Sequence, residues 1–440
     1  MNSVQENKLL KMRFFTTETA VREVLKGLFS SQTIPADRVL SDFYRNHRNC
    51  GSRDRNQINS AVFALLRYWG FLREIMPQAV REKVESGKIQ LQSRDIFAML
   101  LFALVTDNAP VETTRELAAI AEVPEVLIDS SDPIERAEKA SEIFGERRKF
   151  CYASLTPDFK DLVPQDWDYG SYCQRLGKRP PLWIRAASPS ALSQITHELT
   201  SANLEFYQHG ELSFAITSGK VNLQQLETFQ NGLFEVQDLA SQCVGSVCAP
   251  KAGERWYDAC AGAGGKTLHL AALMSGKGVI HAGDIRPAAI EALKKRARRA
   301  GWSNISAKVH DGKVWKGRHA YDGVLVDAPC SGSGVWRRNP GMQWTLSRKN
   351  IEEYASRQLE ILENNAPAVK TGGVLIYATC SIFELENESV AKKFMERNPE
   401  FVPENIIHPL SGTTGCGAMR SGNGYADCDE LFAFKMRKVK

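Results

Sequence analysis

The stretch Tyr257-Asp258-Ala259-Cys260-Ala261-Gly262-Ala263-Gly264-Gly265-Lys266-Thr267 constrains this chain more than any other. Residues 256–259 read as a short buried strand. Residues 267–274 read as a helix with Leu268, Leu270, Ala271 and Leu273 apolar. A glycine turn joins the two. This order places backbone N–H groups at a helix start beside the carboxyl end of a parallel strand, where α/β sheets hold cofactors. Three ligands compete for such a turn, and a turn that only packs a helix on a sheet competes with all three. A phosphate-binding loop needs glycine five positions before Gly265, where Cys260 stands. A dinucleotide fingerprint needs a third glycine where Thr267 stands. S-adenosyl-L-methionine (SAM) remains, and its sheet asks for an acid at the end of the next strand. Residues 279–283 are that strand. Asp284 ends it, 20 residues on from Gly264, positioned to accept both ribose hydroxyls.

Two further strand ends carry sulfur. Asp327-Ala328-Pro329-Cys330 follows the apolar residues 323–326, and Thr379-Cys380-Ser381 follows the apolar residues 373–377. Both cysteines fall on the edge where the glycine turn lies. With these paired Pro-Cys and Thr-Cys motifs the sequence resembles the bacterial RNA (cytosine-5)-methyltransferases of the Fmu/Sun type, which modify small-subunit (16S) ribosomal RNA. The resemblance spans nearly the whole chain and is tightest over residues 233–385. It implies a Rossmann-like SAM-dependent methyltransferase domain over residues 237–440. An N-terminal all-helical NusB-like RNA-binding domain over residues 1–150 would precede it, with a linker over 151–181 and a small ferredoxin-like α/β module over 182–236.

The resemblance also implies roles. Carbon-5 of cytosine is a poor nucleophile, and a thiolate added at carbon-6 activates it. Cys380 is the expected nucleophile, because the RNA enzymes resembled use the cysteine of the Thr-Cys motif. Cys330 would assist elimination and release, with a role as general base open. Asp327 would hydrogen-bond the cytosine edge, with Lys266 paired to it. The cofactor would be held by Cys260, Ala261, Gly262, Ala263, Gly264, Gly265, Lys266, Asp284, Asp311 and Asp327. A cytosine inside a helix cannot reach such a site, so the base must be single-stranded or flipped out. Arg337 and Arg338 are expected on flanking phosphates, and Trp336 or Trp344 on a base or in packing. The turn departs from the family at one point: the usual Ala-Pro is Gly262-Ala263 here, so a pre-set turn becomes one with an entropic cost.

The rest of the chain agrees in class. Ile58, Val62, Leu65, Leu66 and Trp69 recur at helical spacing, and residues 95–105 are nearly uniformly apolar, as in a central bundle helix. Pro157, Pro164, Pro180 and Pro181 break residues 150–181. Residues 182–236 read in the order βαββαβ, which is ferredoxin-like. Asp238 reads as a helix N-cap. Residues 287–300 read as a helix with a cationic run that is mainly a solvated face, with RNA backbone contact as the alternative. A formal charge of +5 permits an RNA partner without requiring one. Ten cysteines without repeated spacing make neither a disulfide framework nor a zinc site, so no metal is expected. The start of the sequence has no apolar signal core, and the longest apolar run, residues 96–105, is too short to span a bilayer. A cytoplasmic monomer acting on RNA, without membrane attachment, is the expectation. Two alternatives stay open: the same chemistry on tRNA, and an inactive RNA-binding or ribosome-assembly factor on this fold.

Overall fold

The computed structural model describes residues 3–30, 34–218, 222–310, 321–422 and 424–440, the side chains of residues 3–13 apart. It divides into two compact units. One comprises Met1–Asp161, Asp168–Arg179 and Trp336–Leu346; the other comprises Leu162–Trp167, Pro180–Val335 and Ser347–Lys440.

The first unit is helical. Its central helix, Ser93–Thr106, is buried on all sides from Ile96 onward, which explains why its apolar pattern shows no polar face. Ile58, Val62, Leu65, Leu66 and Trp69 are all buried, each supporting the core by about 1.5–3 kcal/mol. The segment Trp336–Leu346 is part of this unit. A Cβ on Gly341 would stand 3.2 Å from side-chain methyls of both Leu28 and Leu66. Gln343 Nε2 donates to the Leu155 carbonyl at 3.0 Å. The buried Arg67 guanidinium donates to the carbonyls of Leu176, Lys178 and Arg337 at 3.4, 3.3 and 3.2 Å. These contacts correct one expectation. Arg337 is only 4% exposed and its Nε donates to the Lys178 carbonyl, so it does not stand ready for a phosphate. Trp336 is equally buried, its ring 6.0 Å from Phe159 and 6.5 Å from Tyr172, and is a packing residue rather than a base-stacking one.

The second unit holds two sheets. In the smaller, β1 (Leu182–Ala186), β2 (Glu205–His209), β3 (Ser213–Ser218) and β4 (Phe234–Val236) lie in the order β2-β3-β1-β4, all antiparallel. This is the ferredoxin-like arrangement. The second helix of the expected βαββαβ order is split into a 3₁₀ turn, Leu223–Gln225, and a short helix, Glu227–Gln230. Leu226 between them is extended, with ψ 138°, and buried.

The larger sheet contains β5 (Arg255–Asp258), β6 (Val279–Asp284), β7 (Ile305–Val309), β8 (Tyr321–Asp327), β9 (Val369–Thr379), β10 (Phe401–Pro403) and a C-terminal strand, Phe432–Lys438. Strands β7-β6-β5-β8-β9 are parallel in that order. The C-terminal strand adds antiparallel to β9, and β10 antiparallel to it. The chain steps from β5 to β6 and β7 on one side, then back across to β8 and β9 on the other. Strand order therefore reverses between β5 and β8, and a crevice opens at their carboxyl ends. The glycine turn follows β5, and Asp327 ends β8. Core clusters fill both faces of this sheet, as a parallel sheet requires. Among the described residues no helix is long and apolar enough to cross a membrane.

Candidate active site

The site is assembled from the carboxyl ends of β5, β6, β8 and β9. At the end of β5, Asp258 is fully buried and its Oδ2 accepts the Thr267 hydroxyl at 2.7 Å. Burial, with the nearby Asp327 adding to it, pushes this carboxyl up to about 7 against the opposing Thr267 hydrogen bond. Gly264 caps the helix Gly265–Leu273 in the left-handed region, φ +87°, and Gly262 is also left-handed, φ +55°. A Cβ on Gly264 would lie 2.6 Å from Leu293 Cγ, so only glycine fits there. At Gly262 the nearest atom would be Arg286 Nη2, at 3.6 Å, and at Gly265 nothing lies within 4 Å. The turn is thus tight underneath and open above. Arg296 closes it from outside, Nη1 donating to the Ala263 carbonyl at 3.0 Å while the same guanidinium pairs with buried Glu235. Arg299 pairs with Glu235 as well. The cationic run is therefore divided: Arg296 and Arg299 face the small module's β4, whereas Lys295 and Arg298 are exposed.

At the end of β6, Asp284 Oδ2 accepts the Gly262 N–H at 2.9 Å, joining the two loops that would flank a nucleoside. The rest of its carboxylate is held by Arg286: N and Nε donate to Oδ1 at 2.9 Å each, and Nη2 to Oδ2 at 3.0 Å. Burial opposes the charge, but these bonds outweigh it and hold Asp284 below the usual carboxylate range. The residues fit SAM on two counts, the open floor over Gly262 and Gly265 and a carboxylate aimed across it. Asp311 lies outside the described residues. Asp238, read from sequence as an N-cap, accepts the Ala240 N–H at 2.9 Å and caps its helix as expected.

The reacting edge is made by β8 and β9. Lys266 Nζ donates to Asp327 Oδ2 at 2.7 Å. Burial works against the Lys266 charge, but Asp327 and the neighbouring Cys380 raise its pKa overall. Cys330 Sγ and Cys380 Sγ are 3.2 Å apart, both partly exposed, and the Cys380 N–H donates to Cys330 Sγ at 3.3 Å. The hydrogen bond to Cys380, burial and the nearby Glu386 together drive the Cys330 thiol well above its ordinary value. Either sulfur can donate in this contact, and Cys380 is the one whose charge bears on the partly buried Lys266 ammonium.

The sequence brought Lys266, Asp327, Cys330 and Cys380 into view, and the fold gathers all four. It missed three residues that order them. Glu386, Gln358 and Arg286 carried no motif. The one available signal was spacing: Glu386 lies six residues beyond Cys380, within reach of a strand-end loop.

Residues 246–435 match the model of the family described as 16S rRNA methyltransferase RsmB/F. A protein of Bacillus subtilis (strain 168) named "Probable ribosomal RNA small subunit methyltransferase B" is 39% identical over 219 residues, 48% of this chain and 49% of that protein. "Ribosomal RNA small subunit methyltransferase B" of Yersinia pestis bv. Antiqua (strain Angola) is 29% identical over 432 residues, 92% of this chain and 97% of its own length. Among solved structures, the fold is shared with PH0851, at a TM-score of 0.72 and 24% identity over 96% of this chain and 99% of that one. It is shared also with NSun6 from Pyrococcus horikoshii, solved with SFG, at a TM-score of 0.53 and 21% identity over 60% and 92% of the two chains. The stretch that this family model matches, residues 246–435, is the one that carries the glycine turn, both acids and both cysteines.

Proposed function

We propose that the protein transfers a methyl group from SAM to carbon-5 of a cytosine in RNA, with 16S ribosomal RNA as substrate, through a covalent adduct on Cys380. The carrying observation is the contact of two partly exposed sulfurs, 3.2 Å apart, beside a Lys266–Asp327 pair. A single buried thiol would be an ordinary core residue; two at adjacent strand ends serve addition and release.

The chain's residues divide the work. The Lys266 ammonium stabilises the thiolate of Cys380, which adds to carbon-6 and drives the ring electrons toward carbon-5. Asp327 accepts from the exocyclic amino group and so selects cytosine over uracil. Lys266, bonded to Asp327, presents its remaining N–H groups where charge develops on the ring. Bound SAM supplies an electrophilic methyl group on sulfonium sulfur. Asp284, the Gly262 turn and the open floor at Gly265 orient it. After transfer a solvent water at the partly exposed rim takes the carbon-5 proton, the electron pair left on carbon-5 re-forms the ring double bond, and the carbon–sulfur bond breaks to return Cys380 as thiolate. Cys330, a thiol in contact with the departing sulfur, assists this release.

The test is methyl transfer by the full chain to purified 16S rRNA and to tRNA, followed by bisulfite mapping. The expected product is 5-methylcytosine in 16S rRNA. Label confined to tRNA would replace the substrate. RNA binding with no label in either would replace the activity with an assembly role.

A further inference from the structure

Beneath the two cysteines lies a buried polar network that the chemistry above does not use. Glu386 is fully buried. Its Oε1 accepts the Ser331 N–H and Gln358 Nε2, both at 2.9 Å, and its Oε2 accepts the Ser381 hydroxyl at 2.6 Å. Ser331 directly follows Cys330, and Ser381 directly follows Cys380. Gln358, on the helix Arg348–Asn365, also donates to the Pro329 carbonyl at 3.0 Å and accepts the Tyr377 hydroxyl at 3.0 Å. The hydroxyls of Ser331, Ser333 and Ser381 form a triangle with sides of 3.2–3.3 Å. A closing backbone bond runs from the Gly334 N–H to the Cys380 carbonyl at 2.8 Å. One carboxylate thus grips both cysteine loops and the helix behind them.

We propose that Glu386 is a positioning residue of the active site: it clamps the loop after β8 to the loop after β9 and so holds the two sulfurs side by side. The inference rests on the methyltransferase reading for its consequence in turnover, but not for the clamp itself. A buried carboxylate with three donors is costly to bury and is sustained only by full satisfaction of its oxygens. Cys380 from β9, Glu386, Tyr354 on the flanking helix and Tyr377 act on Cys330; Arg357 acts on Tyr354, and the Lys266–Asp327 pair lies on the Cys380 side. Of these, Glu386 is the fixed anion that shares hydrogen bonds with both cysteine loops. Its charge adds to the Cys380 hydrogen bond and burial in keeping the proton on Cys330.

The experiment compares Glu386→Gln, Glu386→Asp and the unaltered full chain by two readouts. The first is the pH profile of iodoacetamide alkylation at each cysteine, followed by mass spectrometry without RNA. Glutamine can keep its carbonyl on Ser331 and Gln358 and let the Ser381 hydroxyl turn to accept, so the shape survives and the charge is lost. Cys330 alkylation at fixed pH should rise by about ten-fold, the response to a one-unit fall in thiol pKa. The second readout is turnover: kcat should fall by about ten-fold, the loss of one charge-assisted hydrogen bond, with KM for RNA unchanged. Glu386→Asp keeps the charge but cannot span both loops, so it should lose kcat while Cys330 alkylation stays suppressed. A Glu386→Gln protein with unchanged alkylation and unchanged kcat overturns the proposal. If that variant does not fold, Ser381→Ala removes one arm and must lower kcat; an unchanged value overturns the clamp. A shifted alkylation profile with no methyl transfer by the unaltered protein refutes the proposed activity and leaves the clamp standing.

Discussion

Arg286→Ala should tighten SAM binding, and the size of the gain follows from the acceptor count on Asp284. A carboxylate offers about four acceptor sites. The protein fills them with its own donors: the N–H groups of Gly262 and Arg286, and the Nε and Nη2 of the Arg286 guanidinium. Removing the side chain frees one site on each oxygen, which matches a vicinal diol. In the unaltered protein the ribose must first displace the guanidinium. That side chain is 68% exposed, so solvent screens the pair and its rupture costs about 1 kcal/mol at most. The expected gain is therefore up to about five-fold in Kd, since 1.4 kcal/mol is ten-fold. Isothermal titration of SAM into both proteins measures it. Salt sharpens the test: added salt screens the internal pair, so the unaltered protein should gain affinity relative to the variant as ionic strength rises. Equal or weaker binding by Arg286→Ala would refute the competition and make Arg286 a cofactor ligand instead.

Cys380→Ser should abolish methyl transfer and leave the Kd for SAM unchanged, whereas Cys330→Ser should retain covalent protein–RNA adducts on denaturing gels; the reverse pattern would exchange the two roles. Gly264→Ala forces a left-handed alanine and a Cβ contact of 2.6 Å with Leu293, and should cost about 2–4 kcal/mol in denaturant titration. Gly262→Ala, left-handed but 3.6 Å from its nearest neighbour, should cost only about 1 kcal/mol. The Asp258 carboxyl, raised from 3.8 to about 7, binds its proton more tightly folded than unfolded, so it withdraws stability as pH climbs through that window. Asp258→Asn should therefore gain stability relative to the unaltered protein between those two values and plateau above them, as read by melting temperature at stepped pH.

What could be read in the sequence was whatever lies along one strand and its exit. β6 runs over Val279–Asp284, where the reading of residues 279–283 with a terminal Asp284 placed it, and Asp284, Asp327, Cys330 and Cys380 fall at strand ends because a strand of known length fixes its own terminus. Side chains whose partners come from elsewhere in the chain were illegible. Arg337 looked like a phosphate ligand because charge beside a catalytic loop invites that reading. Its burial depends on the carbonyl of Lys178, 159 residues away. Glu386 carried no motif, and only the packing of β8, β9 and the helix Arg348–Asn365 distinguishes it. The short 3₁₀ turn in the small module was missed for a related reason: burying Leu226 required an extended residue inside an otherwise helical pattern.

The excursion of Trp336–Leu346 into the helical unit bears on how the molecule is made. Domains tend to fold as they leave the ribosome, N-terminal first. Here the opening helices emerge early, yet their last packing segment arrives only after roughly three quarters of the chain is synthesised. The larger sheet waits longer still, because the strand Phe432–Lys438 separates β9 from β10 and lies at the very end of the sequence. A nascent chain therefore carries first an unfinished helical bundle, until Leu346 is made, and then an open β9 edge, which stays unpaired on that side until residues 432–438 follow.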